Sequence, residues 1–347
     1  MSSSHLVSFV VPCFNYGRFL PDCLNSIFGQ QGHFNFEIIA IDDCSTDDTW
    51  KILEGFADPR LRLVRHEVNR GHVFTVNEGL TASRGQFVAR IDPDDRYRPD
   101  FLATLLPRFH APRVGLVYGD AAVINDRGEI TVDRCDRVHG GRDFCGDELL
   151  GLLQLNYICA PTAIARRAAW HVALPIWDGL AFNDWYFNVM IAREYDFCYV
   201  DQVVADYRVH AANHHSQIVV NKTEEPSILR VLEFVFSHPE KTPEREAVKQ
   251  HHRGRAYAAQ YLTLAEKYFG AGLNADARRC YREVWKHRPA HMLKAGPIRR
   301  HLATWLGRNR YEWSKALWHS LFGRSEPAKF PRSDEAIAPL GHRANVE

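Results

Sequence analysis

No window of the 347-residue chain offers the roughly 18 uninterrupted apolar residues that a transmembrane helix needs. The eight cysteines form no CxxC pair, no His/Cys ligand spacing and no dense framework, which argues against a zinc-finger or disulfide-scaffold protein. Several, Cys13 and Cys198 among them, sit inside apolar runs, so reduced and mostly buried thiols are expected. The opening "MSSSHLVSFVVPCF" lacks a basic n-region and its apolar run stops at Pro12. A first strand is therefore expected there rather than a signal peptide, and a cytoplasmic protein with it. A Walker motif and a GxGxxG fingerprint are also missing, which argues against a P-loop enzyme and a Rossmann dehydrogenase.

The formal net charge is only +1, but it is unevenly spread. Residues 286–324 hold nine Lys or Arg and a single acid, Glu312, a net +8 that leaves the rest of the chain at −7. The C-terminal region is a separate electrostatic object. With 46% hydrophobic and 24% charged residues, the length fits one main globular domain with an appendage.

The first hundred residues alternate between two periods, the mark of βαβ units around a mainly parallel sheet. "LVSFVVPC", "FEIIAID", "LRLVRH" and "GQFVARI" read as strands. Between them, Leu20, Leu24, Ile27 and Phe28 fall at helical spacing, "DDCSTDDTWKIL" starts a helix with Ser45 and Asp48 spaced as a capping box, and "HVFTVNEGLTAS" is a third helix. The middle reads as strand at "VGLVYGDAAVI" and "YVDQVVADYRVH" and as helix at "GDELLGLLQ" and "NDWYFNVMIAREY". From about residue 226 the pattern is helical. Tyr261, Leu264, Ala265, Tyr268, Ala277, Tyr281, Val284 and Pro289 fill one tetratricopeptide-like unit, which predicts a helical hairpin rather than a repeat array. Residues 325–347 look like a disordered tail.

The densest chemistry is in "ARIDPDDRYRPDF", where Asp92, Asp94 and Asp95 follow a strand and Asp100 comes shortly after. An EF-hand would need an oxygen ligand where Arg96 stands, so calcium of that kind is excluded. A structural reading remains open, in which Asp92 opens a turn around Pro93 while Asp94 and Asp95 cap the helix at "RPDFLATLLPRF". Three adjacent carboxylates repel, however, and become favourable when a divalent cation sits among them. Oxygen-only ligands suit Mg²⁺ or Mn²⁺.

These motifs resemble, in order, those of the family 2 glycosyltransferases, the inverting nucleotide-sugar enzymes of the GT-A fold. "VSFVVPCFNYGRFLPDCLNSI" is similar to the family's opening strand and helix, and "IIAIDDCSTDDT" to its paired Asp. "NRGHVFTVNEGLTASRGQFVARIDPDD" resembles its N-x-G and D-x-D-D run, "FNDWYFNVMIA" its Glu-Asp-Trp helix, and "YRVHAANHHS" its Tyr-Arg-x-His segment. The resemblance covers about residues 6–216. It implies an α/β, GT-A-type mainly parallel sheet flanked by helices over 1–225, with a nucleotide-binding half at 1–105 and an acceptor-side half at 106–225. A C-terminal α-helical extension follows over 226–324.

The resemblance also implies roles. Pro12 and Phe14 would line the nucleobase pocket with Asn15 and Asn69 nearby, and Asp43 would accept a hydrogen bond from the base. Asp92 would face the ribose or the metal, and Asp94 with Asp95 would hold Mn²⁺ or Mg²⁺ against the donor diphosphate. His210 would complete the metal site, with His214 and His215 as rivals. Asp184 matches the catalytic base. Each also has a plainer reading, Asp184 as a helix-start carboxylate and His210 as an ordinary surface or core histidine. Two positions depart from the pattern: Asn183 stands where Glu is usual, and Met190 where a basic residue is.

The expected activity is inverting, metal-dependent sugar transfer from a nucleotide-diphosphate sugar to a saccharide or lipid-linked saccharide acceptor in polysaccharide or glycolipid biosynthesis. A catalytically degenerate scaffold and a metal-dependent nucleotidyltransferase are the alternatives. No nucleic-acid module is visible. In the basic segment, Ile298, Leu302, Trp305, Leu306, Trp313, Leu317 and Leu321 recur at helical spacing, which suits either packing on the catalytic domain or peripheral contact of 290–324 with the inner face of the cytoplasmic membrane.

Overall fold

The apolar run at the start becomes strand β1 (Leu6–Cys13), buried at every residue after the first because helices cover both of its faces. This is a computed structural model, and it describes residues 6–135, 138–210, 219–293, 295–307 and 311. By internal contacts the chain divides into two units, Met1–Leu149 with Tyr157–Val209, and Leu150–Asn156 with His210–Glu347.

In the first unit β2 (Asn35–Asp42), β3 (Leu61–Arg65) and β4 (Phe87–Arg90) join β1 in parallel. Helices α1 (Leu20–Phe28), α2 (Thr49–Glu54) and α3 (His72–Ala82) are the crossovers, as the alternating periods require. The remaining strands are β5 (Arg96–Tyr97), β6 (Val114–Ile124), β7 (Ile130–Val132), β8 (Phe144–Gly146), β9 (Ala163–Arg166) and β10 (Asp196–Arg208). The path runs β3-β2-β1-β4-β9-β6-β10-β5, with β7 beside β6 and β8 beside β10. Strand β9 is antiparallel to both β4 and β6, whereas β10 is parallel to β6. The result is the mainly parallel sheet flanked by helices that the sequence implies. Short helices α4 (Phe101–Leu105) and α6 (Arg167–His171), and α7 (Asp184–Ala192), follow β5, β9 and the loop after α6, while α5 (Leu149–Gln154) leads into the second unit.

Phe9 anchors the core on one face, 5.7 Å from Phe36 and 5.4 Å from Tyr97, which in turn packs on Phe101 at 4.0 Å between centroids. On the other face α3 comes so close to β1 that a Cβ on Gly79 would lie 2.4 Å from Val10 Cγ1.

The second unit is helical: α8 (Glu224–Ser237), α9 (Pro243–His251), α10 (Arg253–Gly270), α11 (Asn274–His287) and α12 (Ala295–Leu306). Helices α10 and α11 form the hairpin expected from the repeat-like spacing, with Leu264, Ala265, Tyr268, Ala277, Tyr281 and Val284 all buried. Segment 150–156 belongs here too, and Gln260 Nε2 donates to the Leu153 carbonyl at 3.1 Å. On α12, Ile298, Leu302, Trp305 and Leu306 are exposed, Trp305 at 72%, while Trp313, Leu317, Leu321 and the tail lie outside the described residues. No described helix is long and apolar enough to cross a membrane.

Three local expectations need correction. Cys145 and Cys198 are not free thiols: they stand opposite one another on antiparallel β8 and β10 and form a disulfide with Cα atoms 4.1 Å apart. Their separation of 53 residues hid a pairing that only strand register brings about. Ser45 and Asp48 form no capping box, because α2 begins only at Thr49 and the Ser45 hydroxyl accepts from the Asn15 backbone N–H instead. Asp94 and Asp95 do not cap a helix, since α4 starts at Phe101 behind Asp100.

Because a β-branched valine cannot swing away from the added methyl, Gly79→Ala is expected to lower stability by about 1–3 kcal/mol, read as a lower denaturation midpoint.

Candidate active site

Parallel strands end at one edge of the sheet, and ligands of open α/β sheets collect there. Cys13 at the end of β1 is in register with Asp42 at the end of β2, and β4 ends at Arg90, two residues before Asp92. Pro12–Asn15, Asp42–Asp43 and Asp92–Asp95 therefore share that edge. Burial and the charges of Asp42, Asp92 and Asp47 push the Cys13 thiol well up, so the three strand ends also share one electric field.

The β1 and β2 loops are interlocked. Asn15 takes a left-handed backbone, φ 59°, donates its N–H to the Ser45 hydroxyl at 2.9 Å and accepts the Thr46 N–H on its side-chain carbonyl at 2.8 Å. This leaves Phe14 42% exposed beside buried Pro12, an available apolar ring at the loop tip.

Asp43 is buried and fixed by the next loop. Its Oδ1 accepts the Arg70 N–H at 2.7 Å, its Oδ2 accepts the Gly71 N–H at 2.8 Å, and His66 Nδ1 lies 2.7 Å from Oδ1. Gly71, at φ 87°, supplies the left-handed turn that aims those amides. Asn69 shapes the same loop, donating to the Asp43 carbonyl and accepting from the Gly71 N–H. Neighbouring Asp42 is fully buried, and among the described residues its Oδ2 accepts no hydrogen bond, with Arg65 Nε 3.3 Å away.

The acidic turn closes through the Asp95 N–H donating to the Asp92 carbonyl at 3.1 Å. Asp94 and Asp95 are buried, while Asp92 is half-buried and accepts from both terminal nitrogens of Arg90 at 3.1 and 3.3 Å. Asp95 Oδ1 accepts the Arg208 backbone N–H at 2.8 Å. Burial, then the charges of Asp94 and Asp92, push the Asp95 carboxyl well above the usual range against the opposing pull of Arg208 and Arg90. Tyr16 feels the same field: burial, Asp94 and Asp92 raise its phenol. Buried, mutually repelling carboxylates that offer only oxygen fit a hard divalent cation such as Mg²⁺ or Mn²⁺.

Asp184 opens α7 behind Asn183, and it lines a small pocket with Arg90, Leu116, Ile158, Trp170, Phe187 and Asn188. Burial pushes up the Cys159 thiol, and the fields of Asp95, Asp184 and Asp92 add to it. Arg90, which lines that pocket and holds Asp92, links Asp184 to the acidic turn about ninety residues earlier in the sequence. His210 is the first residue of the second unit, and His214 and His215 lie outside the described residues. The sequence reading missed Arg90, Arg208, His66 and Tyr16. Two left a signal: Arg90 is a charge inside an otherwise apolar strand, and Arg208 stands in the Tyr-Arg-x-His segment, where no role was given to it.

The model for Glycosyl transferase family 2 matches residues 8–170. That stretch belongs to the family. Asp184 and Arg208 lie beyond the matched residues. The succinoglycan biosynthesis protein ExoO of Rhizobium meliloti is 33% identical over 119 residues, 34% of this chain and 34% of its own length. The chain spans about a third to a half of the length of the curated relatives it matches. Among solved structures, S. aureus TarS 1-349 in complex with UDP-GlcNAc superposes with TM-score 0.60 at 18% identity, covering 86% of this chain and 90% of that one. Mannosyltransferase PcManGT of Pyrobaculum calidifontis, in complex with GDP-Man and Mn²⁺, gives 0.59 at 16% identity, covering 93% and 89%. Both likenesses bear on the fold, and that fold is GT-A-like.

If Asp94 is a cation ligand, Asp94→Ala is expected to weaken Mn²⁺ binding at least about tenfold, the lower end of what even outer-shell changes cost a metal site. Free Mn²⁺ counted by electron paramagnetic resonance checks it.

Proposed function

We propose that the protein is an inverting, divalent-metal-dependent glycosyltransferase that moves a sugar from a nucleoside-diphosphate sugar to the hydroxyl of a saccharide or lipid-linked saccharide in surface-polysaccharide synthesis. The observation that carries this reading is Arg90, which lines the Asp184 pocket and at the same time holds Asp92 of the acidic turn through both terminal nitrogens. The family membership of residues 8–170, the biosynthetic role named for ExoO and the nucleotide sugars bound by TarS and PcManGT support it.

The chemistry follows from the charges. Phe14 and Pro12 offer an apolar wall for the nucleobase, next to Asp43 and the buried, incompletely paired Asp42. Asp94 and Asp95 would hold Mg²⁺ or Mn²⁺, with His210 as the further ligand that the family resemblance implies. When bound, that cation supplies the positive charge that offsets the negative charge developing on the departing diphosphate. Arg90 fixes Asp92 bidentately, so this carboxylate presents one orientation towards the ribose or the cation. Asp184 accepts the proton of the acceptor hydroxyl as the oxygen attacks the anomeric carbon from the face opposite the leaving group. The bond to the diphosphate oxygen breaks as the new C–O bond forms, which inverts the centre. A base is needed on only one side of the sugar, and one carboxylate outside the acidic turn meets that need.

Asn183 is buried with its amide nitrogen unpaired, and Met190 is half-buried on the same helix. Neither removes the Asp184 carboxylate. The exposed Ile298, Leu302, Trp305 and Leu306, beside Arg299 and Arg300, support contact with an anionic membrane surface that carries a lipid-linked acceptor.

Asp184→Asn is expected to cut kcat about 10²- to 10⁴-fold while donor affinity stays at the wild-type value. Turnover assays paired with calorimetry of UDP or GDP in Mn²⁺ separate the two, and wild-type-like turnover sinks the assignment. For the membrane surface, vesicles containing anionic lipid should carry the wild-type protein upward in flotation and leave a Leu302→Ser, Trp305→Ser, Leu306→Ser variant behind. Equal partitioning removes that contact.

A further inference from the structure

Asp43 sits under a histidine that the sequence did not single out. His66 follows β3, is 8% exposed, and donates its backbone N–H to the Asp42 carbonyl at 2.9 Å. Its Nδ1 lies 2.7 Å from Asp43 Oδ1 and its Nε2 lies 2.6 Å from Glu78 Oε2 on α3. Each ring nitrogen faces a carboxylate oxygen, so the ring form that satisfies both contacts is the doubly protonated imidazolium. The loop that starts at His66 ends at Arg70 and Gly71, whose amides hold the other edges of the same carboxylate.

We infer that His66 is a positioning residue for donor binding: its imidazolium bolts Asp43 to Glu78 and so fixes the 66–71 loop over the base side of the pocket. This inference rests on the nucleotide-sugar reading of the site. His66 acts through Asp43. It orients the group that would read the base and takes no part in bond making at the sugar.

The surroundings define the sign of the effect. The charged groups facing the ring are Asp43 from the end of β2 and Glu78 from α3. Phe74 meets the ring edge-on at 5.7 Å, and the Arg70 guanidinium caps the Phe74 face at 3.4 Å. Arg65, the residue before His66, is directed to Asp42. Burial pulls the His66 pKa down, and the hydrogen bonds to Asp43 and Glu78 outweigh it, so the pKa is raised above the ordinary histidine value. A raised folded pKa means that the bolt is fully formed below the unfolded value and is lost as pH rises through the folded one. Once one proton leaves, a ring lone pair points at a carboxylate oxygen, and the loop loses a charge-assisted hydrogen bond.

Donor affinity is therefore expected to fall about tenfold across the His66 titration, the size of one charge-assisted hydrogen bond, while kcat at saturating donor stays flat. Glu78 is partly exposed, so Glu78→Gln leaves the fold intact while removing half of what holds the proton. The affinities of UDP and GDP in Mn²⁺ are measured by calorimetry from pH 6 to 9 for wild type, Glu78→Gln and His66→Gln, with the imidazole followed by NMR. The fall in affinity should track the His66 resonance, move to lower pH in Glu78→Gln, and vanish in His66→Gln. Superimposable wild-type and Glu78→Gln profiles, or an effect confined to kcat, overturn the role of His66 alone. Absence of nucleotide binding by the wild type at every pH overturns the nucleotide-sugar reading and this inference together.

Discussion

A guanidinium group buried to within 1% of complete exclusion from water holds the acidic edge of the sheet together. Arg208, the last residue of β10, sends Nε to the Asp94 carbonyl at 2.6 Å, its terminal nitrogens to the Asn125 carbonyl and the Asp22 carboxylate at 3.0 and 3.1 Å, and its backbone N–H to Asp95. Its flat face lies 4.8 Å from the Phe19 ring. A desolvated cation is tolerable only when its donors are spent on well-placed acceptors, and here they are spent on β10's neighbours at the point where the acidic turn must hold its shape. The planar fork reaches α1, the loop after β6 and the turn after β4 together, which a lysine's point charge could not do.

The acidic edge is thus divided between two kinds of positive charge. Arg208 and Arg90 are permanent and shape the backbone and Asp92. Asp95 resists ionisation all the same, because burial and the charges of Asp94 and Asp92 outweigh their pull. In the proposed reaction a cation and a diphosphate would meet at this turn, whose charges and hydrogen bonds are set in advance. On the base side the compensation is a histidine, a charge that pH can remove.

The donor half was legible because its signals are local. Strands at 6–13, 35–42, 61–65 and 87–90 follow from apolar runs between turns, and the carboxylates stand where those runs end. Asp184 could be placed only by resemblance, because its approach to the turn depends on the path of β9 and α7. The contacts of Arg208 and His66, like the Cys145–Cys198 bond, were illegible for one shared reason. Their partners lie 113, 23 and 53 residues away, and no period or spacing rule reaches across a sheet to name which neighbour a register will supply. The failed capping box at Ser45 is the converse case: a correct local pattern lost to a tertiary competitor, the amide of Asn15.

The distance between Arg208 and the turn it serves has a temporal meaning. A chain emerging from the ribosome can assemble β1 to β4 with their crossovers from its first ninety or so residues, and domains tend to fold in that direction. Until β10 emerges, Asp94 and Asp95 stand without the guanidinium that ties down their backbone. The brace of the acidic turn is thus made last, by a strand that the chain supplies more than a hundred residues after the turn itself.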